Sequence, residues 1–377
     1  MLEGAPPLAW TPVQSERASR SGPIRRPFGV NLAGYLTSEK GTGEAARSAA
    51  AILEAANVPL ALNNIIDAAS ANVESAVREF ANTNPYAFNL VYVNGDQAAN
   101  FAFHKGKPYF DNRYNVGAWN WELTDFPSEW LPRFQYFDEV WVPTNFTRDA
   151  LGRISPIPVT TVPYAVVPPQ PTNFGRSHFR LPENDFVFLF MFDYHSVLER
   201  KNPLGLIEAF QRAFRPDEAA ALVIKSSHAD RRTVRMLRET ARGSRIVITD
   251  TVLARDHVGA LYKLCDCYVS LHRSEGFGLT PAEAMALGKP VIATGYGGNM
   301  DFMTEDNSYL VRYRLIELDR NYTPYQKGWV WADPDLDHAA ELMRAVYEDR
   351  RRAKAVGKKA AVDISRLLGA EAVGRAM

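Results

Sequence analysis

Two glutamates, Glu275 and Glu283, flank a glycine-bearing segment, Gly276-Phe277-Gly278. Backbone N–H groups in such a segment, together with a helix N-terminus, form a pocket for an anion such as a diphosphate. Carboxylates repel phosphate, and in a site that excludes water they accept hydrogen bonds from neutral hydroxyls instead. A ligand with hydroxyls on both sides of a diphosphate is a nucleotide sugar. These residue types at this spacing therefore predict a nucleotide-sugar site.

The elements around this segment follow a strand, loop, helix, strand, loop pattern. The apolar run Cys267–Leu271 predicts a buried strand, and Thr280–Glu283 predicts a helix start with Thr280 as its N-cap. Pro290–Ala293 predicts a second buried strand, and Gly295–Gly298 predicts a second glycine loop. In an open parallel sheet both loops fall at the carboxyl edge, where ligands bind.

The segment resembles the signature of the retaining GT-B glycosyltransferases of family 4, written E-G-F-G-x-x-x-x-E, which Glu275 to Glu283 matches. The resemblance implies that Glu275 holds donor-sugar hydroxyls and that Glu283 holds the ribose hydroxyls. From the residues alone, Glu283 can equally complete a Thr-x-x-Glu capping box, which needs no ligand. The remaining donor-side positions are Gly276, Phe277, Gly278, Leu279 and Thr280.

A basic pair, Arg200-Lys201, precedes a predicted helix that Asn202-Pro203 opens. A departing nucleoside diphosphate gains negative charge, which a fixed Lys201 and helix dipoles would stabilise without a metal. The alternative is a solvated charge pair at a helix start. Members of the resembling family carry an Arg several residues earlier, where this chain has Tyr194, His195 and Ser196. Either Arg200 substitutes for that Arg, or the diphosphate is bound differently here.

A second candidate ligand loop lies near the N-terminus, at Gly41-Thr42-Gly43. Its glycines would let the backbone approach a ligand closely, and the resemblance implies a position near the donor diphosphate and the acceptor. With Ala46 the loop also fits the dinucleotide pattern G-x-G-x-x-A, and Asp67 lies near the expected acidic position. A nicotinamide enzyme is therefore the rival hypothesis.

Further polar groups could serve the reaction or the local structure. Glu122 or Asn120, at the end of a predicted strand, could face the reaction centre, or Glu122 could pair with a surface arginine while its tryptophan neighbours pack a core. Asn299 and Asp301 could contact the sugar, although turn chemistry explains them nearly as well. Asp333-Pro334-Asp335 spells a metal-binding Asp-x-Asp, but it stands before a helix that Asp335 can cap.

Composition narrows the class of protein. The chain has 377 residues, 46% hydrophobic residues and a formal net charge of zero, which indicates a two-domain globular protein with no electrostatic case for nucleic acid. No run approaches the ~20 apolar residues of a membrane helix, and no signal peptide is visible. Residues 1–27 predict a solvated, disordered tail; the alternative is that its arginines touch a membrane surface, which would be a peripheral contact. Cys265 and Cys267 predict buried free thiols in a reducing cytoplasm.

The predicted fold class is α/β, with two Rossmann-like domains facing a central cleft, as in GT-B enzymes. A segment dense in proline, Val166–Glu183, is the predicted linker. The segment Arg314–Gly328 predicts a loop, and Trp329–Trp331 predicts a short strand. The domain prediction comprises an acceptor domain at 28–168, a donor domain at 184–350, and C-terminal helices at 351–377 that could cross back to the first domain.

Together with these features, the resemblance implies a retaining, metal-independent hexosyltransferase. It would move a sugar from a nucleoside-diphosphate sugar to a hydroxyl of a saccharide or glycolipid acceptor, in cytoplasmic polysaccharide or glycoconjugate synthesis, with no cofactor. The alternatives are another GT-B enzyme, such as a sugar-nucleotide epimerase or a phosphorylase, and a non-catalytic nucleotide-sugar binding protein.

Overall fold

The protein divides into two compact units, of which unit 1 is Met1–Ala165 with Ala370–Met377 and unit 2 is Val166–Gly369. The computed structural model describes residues 26–68, 70, 72, 79–170 and 173–377. The predicted N-terminal tail therefore lies outside the described residues as far as residue 25. The predicted linker Val166–Glu183 falls at the start of unit 2.

Unit 1 is built on one parallel sheet, and most residues of its four five-residue strands are buried, as in strands that are covered on both faces. Within the described residues the strand order is β2-β1-β3-β4-β5-β6. The strands are β1 (Val30–Gly34), β2 (Leu60–Asn64), β3 (Phe88–Tyr92), β4 (Tyr114–Ala118), β5 (Glu139–Val142) and β6 (Val159–Thr161). The α-helices among them are α1 (Gly41–Ala55), α2 (Ala98–Lys105), α3 (Lys107–Phe110) and α4 (Asn145–Gly152).

Unit 2 also contains one parallel sheet, and two of its strands are eight residues long and almost entirely buried. Within the described residues the order is β12-β11-β10-β7-β8-β9, with every pairing parallel. The strands are β7 (Phe186–Asp193), β8 (Ala220–Ser227), β9 (Ile246–Asp250), β10 (Cys267–Ser270), β11 (Val291–Thr294) and β12 (Tyr309–Val311). The helices are α5 (Leu198–Lys201), α6 (Pro203–Ala213), α7 (Arg231–Thr240), α8 (Arg255–Leu264), α9 (Leu279–Ala286), α10 (Leu336–Glu348) and α11 (Arg350–Leu368).

The strand order of unit 2 is that of a Rossmann fold. From one edge of the sheet to the other, the strands are β9, β8, β7, β10, β11 and β12. Numbered by their order along unit 2, this is 3-2-1-4-5-6. The chain direction across the sheet therefore reverses between β7 and β10, and the loops that leave these strands diverge to open a crevice. The two Rossmann-like units agree with the predicted fold class.

The prediction of a loop at 314–328 is partly wrong. Tyr313–Glu317 forms β13, which pairs antiparallel with β14 (Val330–Pro334). The residues of β13 are mostly exposed, so the strand lacks the alternation of buried and exposed residues that identifies a half-buried strand in sequence. The predicted strand near Trp329–Trp331 corresponds to β14.

The last helix, α12 (Ala370–Ala376), belongs to unit 1 and packs on α1, where Gly374 approaches Ile52.

Cys265 and Cys267 are buried and carry no disulfide, as predicted. Among the described residues, no helix combines the length and the apolar character that crossing a bilayer requires.

Candidate functional site

The candidate site is the crevice of unit 2, where the loop after β7 meets the loop after β10. Lys201 at the end of α5 and Glu275 in the loop after β10 come from opposite sides of this switch point. Their side chains form an ion pair, with Lys201 Nζ 2.5 Å from Glu275 Oε1. The Arg200 guanidinium lies 3.4 Å from Glu275 Oε2 and donates to the Ser274 carbonyl at 2.8 Å. The fold thus brings together three of the four charged side chains that the sequence marked for donor binding.

The electrostatics of Glu275 are set by two opposing effects. Burial alone would raise its pKa, but the positive charges of Lys201 and Arg200 outweigh burial and lower the pKa to about 2. Glu275 is therefore ionised at neutral pH and can accept hydrogen bonds from neutral hydroxyls. The two cations offer positive charge to a diphosphate at the same place.

Asn202 fixes Lys201 in position. It has a left-handed backbone (φ 55°), which separates α5 from α6, and its Oδ1 accepts from the Gly205 amide at 3.3 Å. Its Nδ2 donates to the Leu271 carbonyl at 2.9 Å, which ties this junction to the chain leaving β10. The predicted cap at Asn202 is confirmed, and it also links the two sides of the crevice.

The two glycine loops pack against each other behind Glu275. Gly278 has a φ of 89° and is the N-cap residue of α9. Gly297 has a φ of 103°, and a Cβ there would lie 2.7 Å from the Glu275 carbonyl oxygen. The Gly298 amide donates to that same oxygen at 2.7 Å. The second loop thus holds the backbone of Glu275, whose side chain pairs with Lys201.

The amides predicted to contact the donor surround the start of α9. Gly276, Phe277 and Gly278 form the loop, and Leu279 and Thr280 are the first helical residues. The Phe277 ring is buried against Phe302, with ring centroids 5.4 Å apart. This apolar anchor leaves the loop backbone, and not the phenyl ring, as the part available to a ligand.

Glu283 does not form the predicted capping box. Because α9 begins at Leu279, after Gly278, Thr280 is inside the helix, and its hydroxyl accepts from Tyr268 at 2.8 Å. Glu283 is buried and pairs with Arg255 at 2.6 Å. It also accepts from the Tyr262 hydroxyl at 2.9 Å.

His272, which the sequence did not single out, is buried beneath the site. Its Nδ1 lies 3.0 Å from the Ser270 hydroxyl, and its Nε2 lies 3.2 Å from both the Tyr296 carbonyl and Asn299 Oδ1. Burial lowers the pKa of His272, so the ring is neutral and braces the second glycine loop. Its only signal in the sequence was its place directly after the strand.

The two candidate sugar contacts differ in exposure. Asn299 is fully buried, and its Nδ2 donates to the Thr294 carbonyl at 3.0 Å, so its side chain shapes the turn. Asp301 ends the same 3₁₀ turn and is exposed.

Arg273 links the candidate site to the β13–β14 hairpin. Its amide donates to the Arg200 carbonyl at 2.7 Å, and its carbonyl accepts from the Ala332 amide at 2.9 Å. Its guanidinium donates to the Glu199 carbonyl at 2.9 Å and lies 3.4 Å from Asp333. Asp335 caps α10 by accepting a hydrogen bond from the His338 amide, which is the helix-cap role predicted from the sequence.

In unit 1 the predicted glycine loop opens α1 at the carboxyl edge of the sheet. Six residues, 35–40, separate the end of β1 from Gly41, which is unlike the immediate turn of a dinucleotide fingerprint. Thr42 follows in the first turn. A Cβ on Gly43 would lie 2.5 Å from the Ser38 carbonyl, so this glycine is needed for packing. Asp67 pairs with Lys40 at 2.7 Å.

Glu122 lies at the same edge of unit 1, in the loop after β4. Burial raises the pKa of the Tyr164 phenol, nearby Glu122 adds to the rise, and a hydrogen bond with Asn120 opposes it. A neutral phenol, an amide and a carboxylate therefore cluster here. The neighbouring Trp119 and Trp121 are core residues, each 1% exposed.

Comparisons with known proteins agree with this architecture. The family described as Glycosyl transferases group 1 matches residues 175–363, which is half of the chain. The lipopolysaccharide core biosynthesis mannosyltransferase LpsB of Rhizobium meliloti (strain 1021) is 30% identical over 116 residues. That match covers 31% of this chain and 28% of the length of that relative.

Solved structures share the fold across both units. Sucrose-phosphate synthase from Thermosynechococcus elongatus aligns with a TM-score of 0.67 at 16% identity, covering 94% of this chain and 97% of that one. Anabaena HepE in complex with UDP and glucose aligns with a TM-score of 0.64 at 13% identity, covering 93% and 98%. The predicted GT-B fold is confirmed, and the chain belongs to the group 1 glycosyl transferases.

Proposed function

We propose that this protein is a retaining, metal-independent glycosyltransferase of the family 4 type. It transfers a hexose from a nucleoside-diphosphate sugar to a hydroxyl of a saccharide or glycolipid acceptor. The observation that carries the proposal is the Lys201–Glu275 ion pair at the switch point of unit 2, beside the N-terminus of α9. This arrangement offers cations and amides to a diphosphate and a carboxylate to sugar hydroxyls.

In the transfer step, the bond between the sugar C1 and the diphosphate breaks, and a bond from the acceptor oxygen to C1 forms on the same face. Lys201, Arg200 and the N-terminal amides of α9 stabilise the charge that develops on the departing diphosphate. The departing phosphate takes the proton of the acceptor hydroxyl. Glu275 holds the donor sugar, and no metal is required because the protein supplies the positive charge.

The other predicted contacts have supporting roles. Glu283 receives the ribose hydroxyls in place of part of its present pairing with Arg255 and Tyr262. For unit 1, the proposal keeps the roles that the family resemblance implies: the Gly41–Gly43 loop serves the diphosphate and acceptor side, and Glu122 serves the acceptor. Asp301 remains a candidate for the sugar hydroxyls because its side chain is exposed.

The cellular role that we propose is polysaccharide or glycoconjugate synthesis in the cytoplasm. The LpsB relative is a mannosyltransferase of lipopolysaccharide core biosynthesis, which supports a saccharide acceptor. HepE was solved in complex with UDP and glucose, which makes UDP-glucose the first donor to test. Free buried thiols at Cys265 and Cys267 are compatible with a reducing compartment.

The test combines nucleotide binding with product analysis, both in EDTA. Thermal unfolding is measured with a panel of nucleotides and nucleotide sugars, and bound ligand at ~100 times its Kd should add about 2.7 kcal/mol of stability. The stabilising donor is then incubated with saccharide acceptors, and the anomeric configuration of the product is read by NMR. We expect an α-linked product from an α-linked donor.

Variants separate this proposal from its rivals. Lys201→Ala should bind the donor more weakly and lose turnover, whereas Lys359→Ala, which removes a lysine paired with Asp363 at 2.9 Å on α11, should behave like the wild type. Turnover of a nucleotide sugar without acceptor would indicate an epimerase, and a requirement for free phosphate would indicate a phosphorylase. Binding without any turnover would indicate a non-catalytic protein, and a shift with NAD(H) alone would contradict the proposed site.

A further inference from the structure

A cluster of two imidazoles and one carboxylate lies at the carboxyl ends of β7 and β8, and the proposed transfer does not use it. Asp193 is the last residue of β7, His195 follows two positions later, and His228 comes directly after β8. Among the described residues, only this trio brings three ligand atoms of this kind within 4.8 Å of one another. The cluster is therefore a candidate for a metal site.

The three side chains converge. His195 Nδ1 lies 2.9 Å from Asp193 Oδ1, and His228 Nδ1 lies 3.0 Å from Asp193 Oδ2. The two imidazole rings are 4.3 Å apart between centroids. Ligands at about 2.0 Å from a tetrahedral zinc ion lie about 3.3 Å from one another, so small side-chain rotations would open room for an ion.

The backbone and neighbouring groups hold the carboxylate in place. Asp193 Oδ1 accepts from the His195 amide at 2.7 Å, and Oδ2 accepts from the Ser227 hydroxyl at 3.2 Å. Hydrogen bonds of this kind orient ligating carboxylates in known metal sites. His228 has a φ of 65°, a left-handed conformation that few non-glycine residues adopt and that helps to direct its ring toward Asp193.

The cluster is open to solvent on one side. The side chains of His195, Asp193 and His228 are 37%, 28% and 21% exposed, so an ion can enter and a fourth ligand from solvent can complete its coordination. Three protein ligands with one open position are typical of zinc sites that bind a water or an anion.

The ligand types select the ion. Neutral imidazole favours zinc and its transition-metal neighbours, whereas magnesium and calcium prefer all-oxygen ligands. We propose that Asp193, His195 and His228 bind one divalent ion of the zinc type, with a water or a small anion in the fourth position. This inference is independent of the proposed transfer, because the trio includes neither Lys201 nor Glu275.

The test is a direct metal titration of untagged protein that has been treated with EDTA and dialysed. Binding of Co²⁺ is followed by its visible spectrum, which reports tetrahedral coordination by nitrogen and oxygen, and binding of Zn²⁺ is measured by competition with a coloured chelator. We expect one ion per chain, displacement of Co²⁺ by Zn²⁺, and no competition from Mg²⁺. An absence of stoichiometric binding to the wild type would overturn the proposal.

Two variants locate the ion. His228→Asn keeps a residue type that tolerates a left-handed backbone, and His195→Asn removes the second imidazole without touching that backbone. Each should lower the Zn²⁺ affinity at least roughly tenfold, and each should lose the zinc-dependent rise in Tm of the wild type. Thermal unfolding in EDTA checks that both variants are folded.

The matched control is His257→Asn, because His257 forms a similar pair with Asp256 at 2.8 Å but is outside the trio. This variant should bind Zn²⁺ like the wild type. If the control loses as much affinity as the two test variants, or if neither test variant loses any, the ion binds elsewhere and the proposal is wrong. Because no nucleotide is present, failure here leaves the proposed transfer activity untouched.

Discussion

The backbone of Glu275 is in contact with Gly297, where a Cβ would lie 2.7 Å from the Glu275 carbonyl oxygen and 3.0 Å from its amide nitrogen. Gly297→Ala should therefore displace the Glu275 loop. The left-handed φ of 103° adds strain, and together these effects should destabilise the protein by about 1–3 kcal/mol and reduce kcat/KM. Urea unfolding and donor kinetics measure the two effects.

The control for this prediction is Gly295→Ala in the same loop. A Cβ there would meet its nearest neighbour, the Val311 carbonyl, at 3.5 Å, which is an ordinary contact. This variant should remain close to the wild type in stability and kinetics. Equal effects of the two substitutions would show that the contact with Glu275 is unimportant.

The free energy of unfolding should decrease at acid pH as Glu275 becomes protonated. Its folded pKa is about 2, below the ordinary value of 4.5, so the ion pair stabilises the fold fully above pH 4.5 and the contribution disappears as the pH falls toward 2. The contribution is up to about 3 kcal/mol. Urea unfolding of wild type and Glu275→Gln at pH 7, 4 and 3 should show the two curves converging at low pH.

Glu208→Gln is the control for the pH experiment, because Glu208 pairs with Arg212 on the exposed surface of α6. Exposed pairs contribute only about 0–1 kcal/mol, so this variant should follow the wild type at every pH. A constant difference between wild type and Glu275→Gln from pH 7 to pH 3 would rule out the proposed linkage.

Asn202→Ala should reduce both stability and activity. It removes a helix cap that is worth about 1 kcal/mol and leaves the Leu271 carbonyl without its Asn202 donor, which costs about 1–3 kcal/mol more. Because Lys201 is the adjacent residue, kcat should fall as well.

The control is Asp230→Ala, which removes the exposed cap of α7 and should cost about 1 kcal/mol with kcat unchanged. A similar kcat for both variants would show that Asn202 does not contribute to catalysis.

Tyr262→Phe tests the role of Glu283. Removing the hydroxyl deletes the 2.9 Å hydrogen bond to the buried carboxylate, and stability should fall by about 1–2 kcal/mol. If Glu283 binds ribose, Glu283→Gln should raise the KM for the donor much more than Tyr262→Phe does. Equal KM values for the two variants, measured in the same assay, would leave Glu283 with a structural role alone.

The sequence was sufficient to predict much of the donor-side architecture. The apolar runs that form β10 and β11 and the glycine loops that follow them are continuous in sequence, so local pattern identifies them. The Asn202 cap was found for the same reason. The resemblance and the rule for parallel sheets assigned Lys201 and Glu275 to the same donor, but the ion pair between them was not predicted.

Other features depended on contacts between distant residues. The sequence offered Thr280, three positions earlier, as a capping partner for Glu283. In the structure the Glu283 carboxylate instead contacts Tyr262 and Arg255, which lie on another helix. β13 is stabilised by pairing with β14, and its exposed face carries no periodic signal. His272 gains its role only because Asn299 folds back against it.

The contacts of Arg273 also determine when the candidate site can form during folding. One of its hydrogen bonds reaches a residue 74 positions earlier, and another reaches a residue 60 positions later. Contacts between residues so far apart require large loops to close, and they raise contact order and slow folding. The full set of Arg273 contacts therefore forms only once the hairpin has been made. A truncation that stops before residue 330 should remove the Ala332 and Asp333 contacts of Arg273 and leave its bonds to α5, even though every residue of the ion pair is present.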